Sequence, residues 1–264
     1  MLNTTSTCPN CGNEVDMHDE FCSQCGQKNP NHHPFRNNFV MMRWYFHLGF
    51  FIMGLFGLNL LSYVFSFAFA SYYYTDYYSG YVNFMVYGTV FIFLLAGVLA
   101  NWDKFKPYMK DWTKYLLGLP MGFAVLMGTA ALNMFLQNFQ EITTNANETA
   151  IRGIVSVFPL LSLLILGIIG PICEELTYRV GLFSLIAKKN KILAYIATTL
   201  IFGLIHFDFG NITSINEWLN LPTYLLSGFL LTLTYDLFGL PGSIVAHATN
   251  NLIAVFLSII NGNG

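Results

Sequence analysis

Charge is what this chain has least of. Twelve basic and fourteen acidic side chains make up 10% of its 264 residues, against roughly 25% in an ordinary soluble domain, and that shortage excludes a soluble single domain. The two signs nearly cancel, to a formal net charge of -2, which excludes electrostatic nucleic-acid binding by the chain as a whole. Met1 to Pro30 hold no apolar run of about 7 to 15 residues, so no cleavable signal peptide is expected and the N-terminus is expected to be retained. Cysteine is nearly confined to one place, with four of the five inside the first 25 residues. What the chain has in excess is apolar side chains, at 55% of residues, and aromatics, at 17%. Membrane protein is therefore the starting class.

The few charges are unevenly placed. Residues 1 to 38 hold Glu14, Asp16, Asp19, Glu20, Lys28, Arg36 and three of the six histidines, and the composition turns apolar near Asn37, where a domain boundary is expected. Within this segment Cys8-Pro9-Asn10-Cys11-Gly12 and Cys22-Ser23-Gln24-Cys25-Gly26 form two C-x2-C pairs with ten residues between them. That spacing turns both thiolates of a tight knuckle toward one ion, the following glycine relieves the turn, and four thiolates complete a tetrahedral Zn2+ shell. Two disulfides are the alternative, but so short a segment lacks a core, and metal binding would supply its folding energy. A reduced tetrathiolate implies the cytoplasm. His18, His32 and His33 are read as solvated residues, not ligands. With two basic against four acidic side chains, the segment is not expected to bind nucleic acid; docking of a protein partner or structural capping is expected instead. It resembles the small zinc ribbons at the N-termini of many bacterial membrane proteins. Residues 1–28 are assigned to the ribbon and 29–43, with Pro30 and Pro34, to a linker.

Stretches long enough to cross about 30 Å of hydrocarbon fall at 44–70, 81–100, 115–137, 154–187, 192–209, 218–237 and 240–260. They predict an all-α polytopic membrane protein of about seven helices, divided into N-terminal transmembrane helices (44–150) and a helical core (151–260). Arg36 and Arg43 precede the first stretch, Lys104, Lys106, Lys110 and Lys114 follow the second, and Lys188, Lys189 and Lys191 follow the fourth, whereas 71–80 and 210–217 carry no basic residue. Lys and Arg collect on the cytoplasmic side, so a multi-pass plasma-membrane protein with its N-terminus in the cytoplasm is expected. Tyr72, Tyr73, Tyr74, Tyr77, Tyr78 and Tyr81 read as an interfacial aromatic belt. Gly49, Gly54, Gly57, Gly118, Gly122 and Gly128 read as sites of close helix packing.

An ionised side chain inside a span costs about 2.5 to 3.5 kcal/mol, so such groups are functional candidates. They cluster: Glu174, Glu175 and Arg179 in the fourth stretch, His206 and Asp208 at the end of the fifth, and His247, Asn250 and Asn251 in the seventh. Glu175 and Arg179 are four apart and pair on one helix face, whereas Glu174 is turned about 100° away and is left as a candidate general base. His247 and Asn251, also four apart, offer two hydrogen-bonding groups on one face. Glu174 and His206 lie equally far from Asn190 along their helices, so one site is expected. A buried ion-pair network that only fixes packing is the alternative. Cys173 reads as a small buried residue, and Asp208 and Asp236 as interfacial.

At these residues the sequence resembles the CPBP intramembrane protease family, which includes the CaaX prenyl endopeptidases and bacteriocin-processing or immunity proteins. Its EExxxR motif matches Glu174-Glu175-Leu176-Thr177-Tyr178-Arg179, its FxxxH matches Phe202-Gly203-Leu204-Ile205-His206, and its HxxxN matches His247-Ala248-Thr249-Asn250-Asn251. The resemblance implies an intramembrane endopeptidase acting on membrane-associated peptides or protein tails. Glu174 and His206 would activate a water, while His247 and Asn251 would stabilise the oxyanion. Whether Glu174 and the two histidines instead ligate a catalytic metal stays open, as does a non-proteolytic binding or immunity role on the same scaffold. A tail could reach the site from the cytoplasmic side.

Overall fold

The computed structural model describes residues 5–16, 21–22, 24–30, 38–139, 141 and 143–261. His18, His32, His33 and most of the expected linker lie outside them. The chain divides into two compact units, Met1–Asn37 and Asn38–Gly264.

The first unit is built on two equivalent knuckles. Cys8 N–H donates to Asn13 O and Gly12 N–H to Cys8 O, at 2.8 and 2.9 Å; Cys22 to Gln27 and Gly26 to Cys22 repeat the pattern at 2.8 Å each. Gly12 and Gly26 close these turns at φ 73° and 69°, where a side chain would be strained. Strands β1 (Thr5–Thr7) and β2 (Glu14–Asp16) pair antiparallel in the register Ser6 opposite Val15. Cys8, Val15 and Cys22 form the small buried cluster between them.

The second unit is helical and multi-pass: α1 (Trp44–Ala68), α2 (Tyr78–Ala100), α3 (Trp102–Met109), α4 (Trp112–Gln137), α5 (Ala146–Val157), α6 (Pro159–Ala187), α7 (Lys191–Leu204) and α8 (Ile215–Ile260). Five of these, α1, α2, α4, α6 and α8, are long and apolar enough to cross a membrane, not seven. Two local features account for the difference; a third, at Phe158, shortens the fourth stretch without changing the count, since Pro159–Ala187 is still among the five. The stretch at 154–187 divides at Phe158, because Pro159 starts α6 at the first-turn position that needs no N–H. The stretch at 192–209 forms a helix of only 14 residues, about 21 Å long. The last two stretches are joined in one 46-residue element.

That element, α8, is a hairpin. Gly128 and Asn133 of α4 meet Leu226, Leu230 and Thr223, so the first half of α8 runs antiparallel to α4. Gly118 and Gly122 meet Gly242 and then Ala246 and Thr249, so the second half runs parallel to it. The chain reverses at Gly239, whose φ of 70° and ψ of -170° belong to a region essentially reserved for glycine. Asn38 stitches the turn: its Nδ2 donates to Leu237 O at 2.7 Å and Asp236 O at 3.2 Å, and Lys114 Nζ donates to its Oδ1 at 2.9 Å.

Small residues set the spacing of the bundle. A Cβ on Gly122 would lie 2.6 Å from Ala246 O, one on Gly118 2.6 Å from Gly242 O, and one on Gly54 1.7 Å from Thr177 Oγ1. Gly118 and Gly122 permit backbone contact between helices and Gly54 makes room for the Thr177 side chain; Gly49 faces open space, and Gly128 makes ordinary van der Waals contact. Around the bundle, Phe56, Leu60, Tyr63 and Phe67 are exposed, as lipid-facing side chains would be.

Candidate active site and metal centre

Helix α6 carries the first motif in the most enclosed part of the molecule, where every residue from Cys173 to Ser184 is buried. Its helix is widened to π geometry over Ile165–Ile169 and Glu175–Phe183. The first widening has a chemical cause and a consequence. Gly170 N–H bonds Ile165 O, five residues back, so the next carbonyl, Leu166 O, would look to residue 171, a proline without an N–H. Left open, Leu166 O accepts the Asn251 amide at 3.2 Å. Asn250 Nδ2 donates to Asn251 Oδ1 at 3.0 Å, so both ends of that amide are held.

The two adjacent glutamates have different partners. Glu175 Oε1 lies 3.0 Å from Arg179 Nη1 and accepts from His247 Nδ1 at 2.8 Å. Arg179 Nη2 also donates to Gly228 O at 3.1 Å, and its guanidinium sits 4.6 Å above the Phe202 ring. Glu174 Oε1 accepts from Tyr87 OH at 3.4 Å, and its Oε2 lies 3.7 Å from His247 Nε2. His247 therefore stands between the carboxylates, with Glu175 fixing its ring orientation.

His206 follows the end of α7. Its Nδ1 donates to Phe202 O at 2.8 Å; since a carbonyl only accepts, the neutral ring presents the Nε2 lone pair. The ring stacks on Tyr224 with centroids 4.6 Å apart and planes 11° from parallel. Asn145 Nδ2 donates to His206 O at 3.2 Å. Buried Glu217 accepts from Ala146 N at 2.9 Å and Asp208 N at 3.0 Å, tying α5 to the His206 loop. Tyr87, Asn145, Glu217 and Tyr224 are the site residues that sequence reasoning missed. Glu217 alone left a signal, as an acid at the edge of an apolar stretch. Glu217→Ala strands two N–H groups and is expected to cost about 1–3 kcal/mol of stability; thermal unfolding in detergent reads the change, and Glu217→Gln, which keeps one acceptor, should lose less.

Glu174, His206, His247 and Asn251 all line one cavity of about 460 Å³, together with Tyr87 and Tyr224. Glu175 and Arg179 lie behind it. Asp236 is elsewhere, paired with Lys191 at 2.7 Å and accepting from Tyr195 OH at 2.8 Å. Cys173 is buried beside Glu174.

In the first unit the four motif cysteines bring their sulfurs within 4.8 Å of one another. Cys8 and Cys25 are 3.6 Å apart, and Cys11 and Cys22 3.7 Å. Four thiolates at about 2.3 Å from a tetrahedral Zn2+ would stand about 3.8 Å apart, so the donor set fits that ion. The thiols ionise unequally: Cys25 is pulled down to about 6, chiefly by the Gln27 backbone N–H, whereas Cys11, despite the Asn13 N–H, is pushed up to about 12 by its neighbouring thiols. A dication resolves that conflict by favouring all four thiolates. Among the described residues, this is the grouping of three or more His, Cys, Asp or Glu close enough to hold one ion.

Residues 156–253 match the family model for the type II CAAX prenyl endopeptidase Rce1-like domain, and residues 7–29 match that for a zinc-ribbon domain. Among curated proteins, an uncharacterized protein of Mycoplasma capricolum is 25% identical over 64% of this chain and 52% of its own length. The UPF0177 protein YvdC of Lactococcus lactis is 29% identical over 51% of this chain and 46% of its own length. The UPF0177 protein YxdF of the same species is 29% identical over 54% and 71%. The chain thus spans about half the length of the first two. No solved structure matches.

Proposed function

From the Rce1-like CAAX-protease domain that this membrane chain carries behind its zinc-ribbon domain, we propose that it is an intramembrane endopeptidase that hydrolyses peptide bonds of membrane-associated peptides or protein tails. The observation that carries the reading is the single cavity lined by Glu174, His206, His247 and Asn251. Two histidines, a carboxylate and an amide converging from α6, α8 and the loop after α7 exceed what packing alone requires.

In this mechanism a water sits between the Glu174 carboxylate and His206 Nε2. Glu174 takes its proton as the oxygen attacks the scissile carbonyl carbon. The imidazolium form of His247, donating from Nδ1 to Glu175 and from Nε2 into the cavity, and the remaining N–H of Asn251 face the oxyanion that forms. Glu174 then returns the proton to the departing amide nitrogen as the C–N bond breaks. Each step uses the chain's own side chains.

Comparing membrane peptides from cells carrying the native chain with those carrying Glu174→Gln tests the reading. Fragments that depend on Glu174 are expected; identical peptide sets with biological activity retained would instead favour a non-proteolytic binding or immunity role.

In the ribbon, Cys8, Cys11, Cys22 and Cys25 would hold a structural Zn2+. Elemental analysis of the purified chain is expected to find one zinc, lost when Cys22 and Cys25 are both replaced by Ser; retention would sink that assignment.

A further inference from the structure

The cavity opens toward one face of the second unit, and the lysines lie at the other. Lys188 donates to Met42 O, Lys114 to Asn38 and Lys191 pairs with Asp236, so the loops that follow α3 and α6 and the α8 turn share a basic face. None of these lysines lines the cavity. From Glu174 and His247 it runs instead to Asn147, Arg152, Ser258 and Asn261. Helix lengths agree: Glu174 lies fourteen residues before Lys188, about 21 Å from the basic face, and Asn261 ends a half-helix about 30 Å beyond the Gly239 turn. The cavity thus begins near mid-depth and reaches the face away from the lysines. Its rim is polar and balanced, since Arg152 pairs with Glu148 at 2.6 Å.

Lysine and arginine mark the cytoplasmic side of a membrane protein. We propose that the cavity opens to the extracytoplasmic face, and that its substrate is the extracytoplasmic stretch of a membrane-anchored peptide, next to its anchor. This rests on the endopeptidase reading and reverses the expectation that a tail enters from the cytoplasm. The loop lysines and arginines predict an orientation of the chain but not the direction in which Glu174 and His247 face. The cavity's apolar wall, with Leu126, Ile151, Leu166 and Val255, suits the apolar residues beside an anchor, and its polar rim suits a hydrated backbone.

The test uses the full chain with Ala254→Cys, an exposed position on the cavity wall, and separately Lys110→Cys, exposed on the basic face. Whole cells are treated with a membrane-impermeant maleimide, and labelling of the introduced thiol is quantified by peptide mass spectrometry. The Ala254→Cys variant is expected to react in intact cells and the Lys110→Cys variant only after permeabilisation. Reaction of the Ala254→Cys variant only after permeabilisation, or in neither state, overturns the proposal, as does reaction of the Lys110→Cys variant in intact cells. Because labelling needs no turnover, repeating it in the Glu174→Gln background separates failure of this proposal from failure of the protease reading. Where Glu174-dependent fragments exist, their cut sites are expected on the extracytoplasmic side of the anchor; cytoplasmic cut sites overturn the orientation and leave the proteolysis standing.

Discussion

Glu174→Gln is expected to slow cleavage by about 10²- to 10⁴-fold, the range lost with a positioned general base, while leaving the protein folded. The change is nearly isosteric, and the amide oxygen still accepts from Tyr87 OH, which bonds Glu174 Oε1 at 3.4 Å. What disappears is the basic oxygen facing the cavity. Glu174 is 8% exposed and Glu175 0%, so only the first can meet a water from that cavity. Rates measured on a peptide identified by the fragment comparison decide the matter. A loss below about tenfold would remove Glu174 from the role of base.

The largest structural effect is expected at Arg179. Its guanidinium is fully buried against Glu175 at 3.0 Å, Gly228 O at 3.1 Å and the Phe202 face at 4.6 Å. Arg179→Ala leaves the Glu175 carboxylate buried without its cation and is expected to cost about 3–5 kcal/mol. The double change Glu175→Gln with Arg179→Met removes both charges, keeps an acceptor for His247, and is expected to recover most of that loss. Thermal unfolding in detergent compares the two. If the double variant is as unstable as the single one, packing of the Arg179 stem, and not the stranded charge, holds this region together.

Much of the molecule was legible in the sequence because the signals were local. Two C-x2-C pairs, each followed by a glycine, foretell the knuckles that Gly12 and Gly26 close. Successive positions on a helix point about 100° apart, which is enough to send Glu174 and Glu175 to different partners. The rest depends on distance along the chain. Nothing local says that Glu217 reaches back to Ala146, or that Tyr224 stacks on His206. The hairpin was legible as well, since the apolar stretches 218–237 and 240–260 part at Gly239, where the chain reverses. Pro171 was visible three residues before Glu174, but its effect is to free a carbonyl of its own helix for Asn251, 85 residues away.

The loop that holds His206 differs in kind from the helix that holds Glu174. Cys173–Ser184 are buried, so their amide hydrogens are expected to exchange with solvent only when the bundle opens, whereas Phe209–Thr213 are exposed and need only a local excursion. His206 is kept in register by Asn145, Glu217 and Tyr224, contacts that such an excursion breaks together. On heating, turnover should therefore fade below the temperature at which the helices melt, and it should return on cooling. The two carboxylates and His247 would still be in place, waiting for one imidazole.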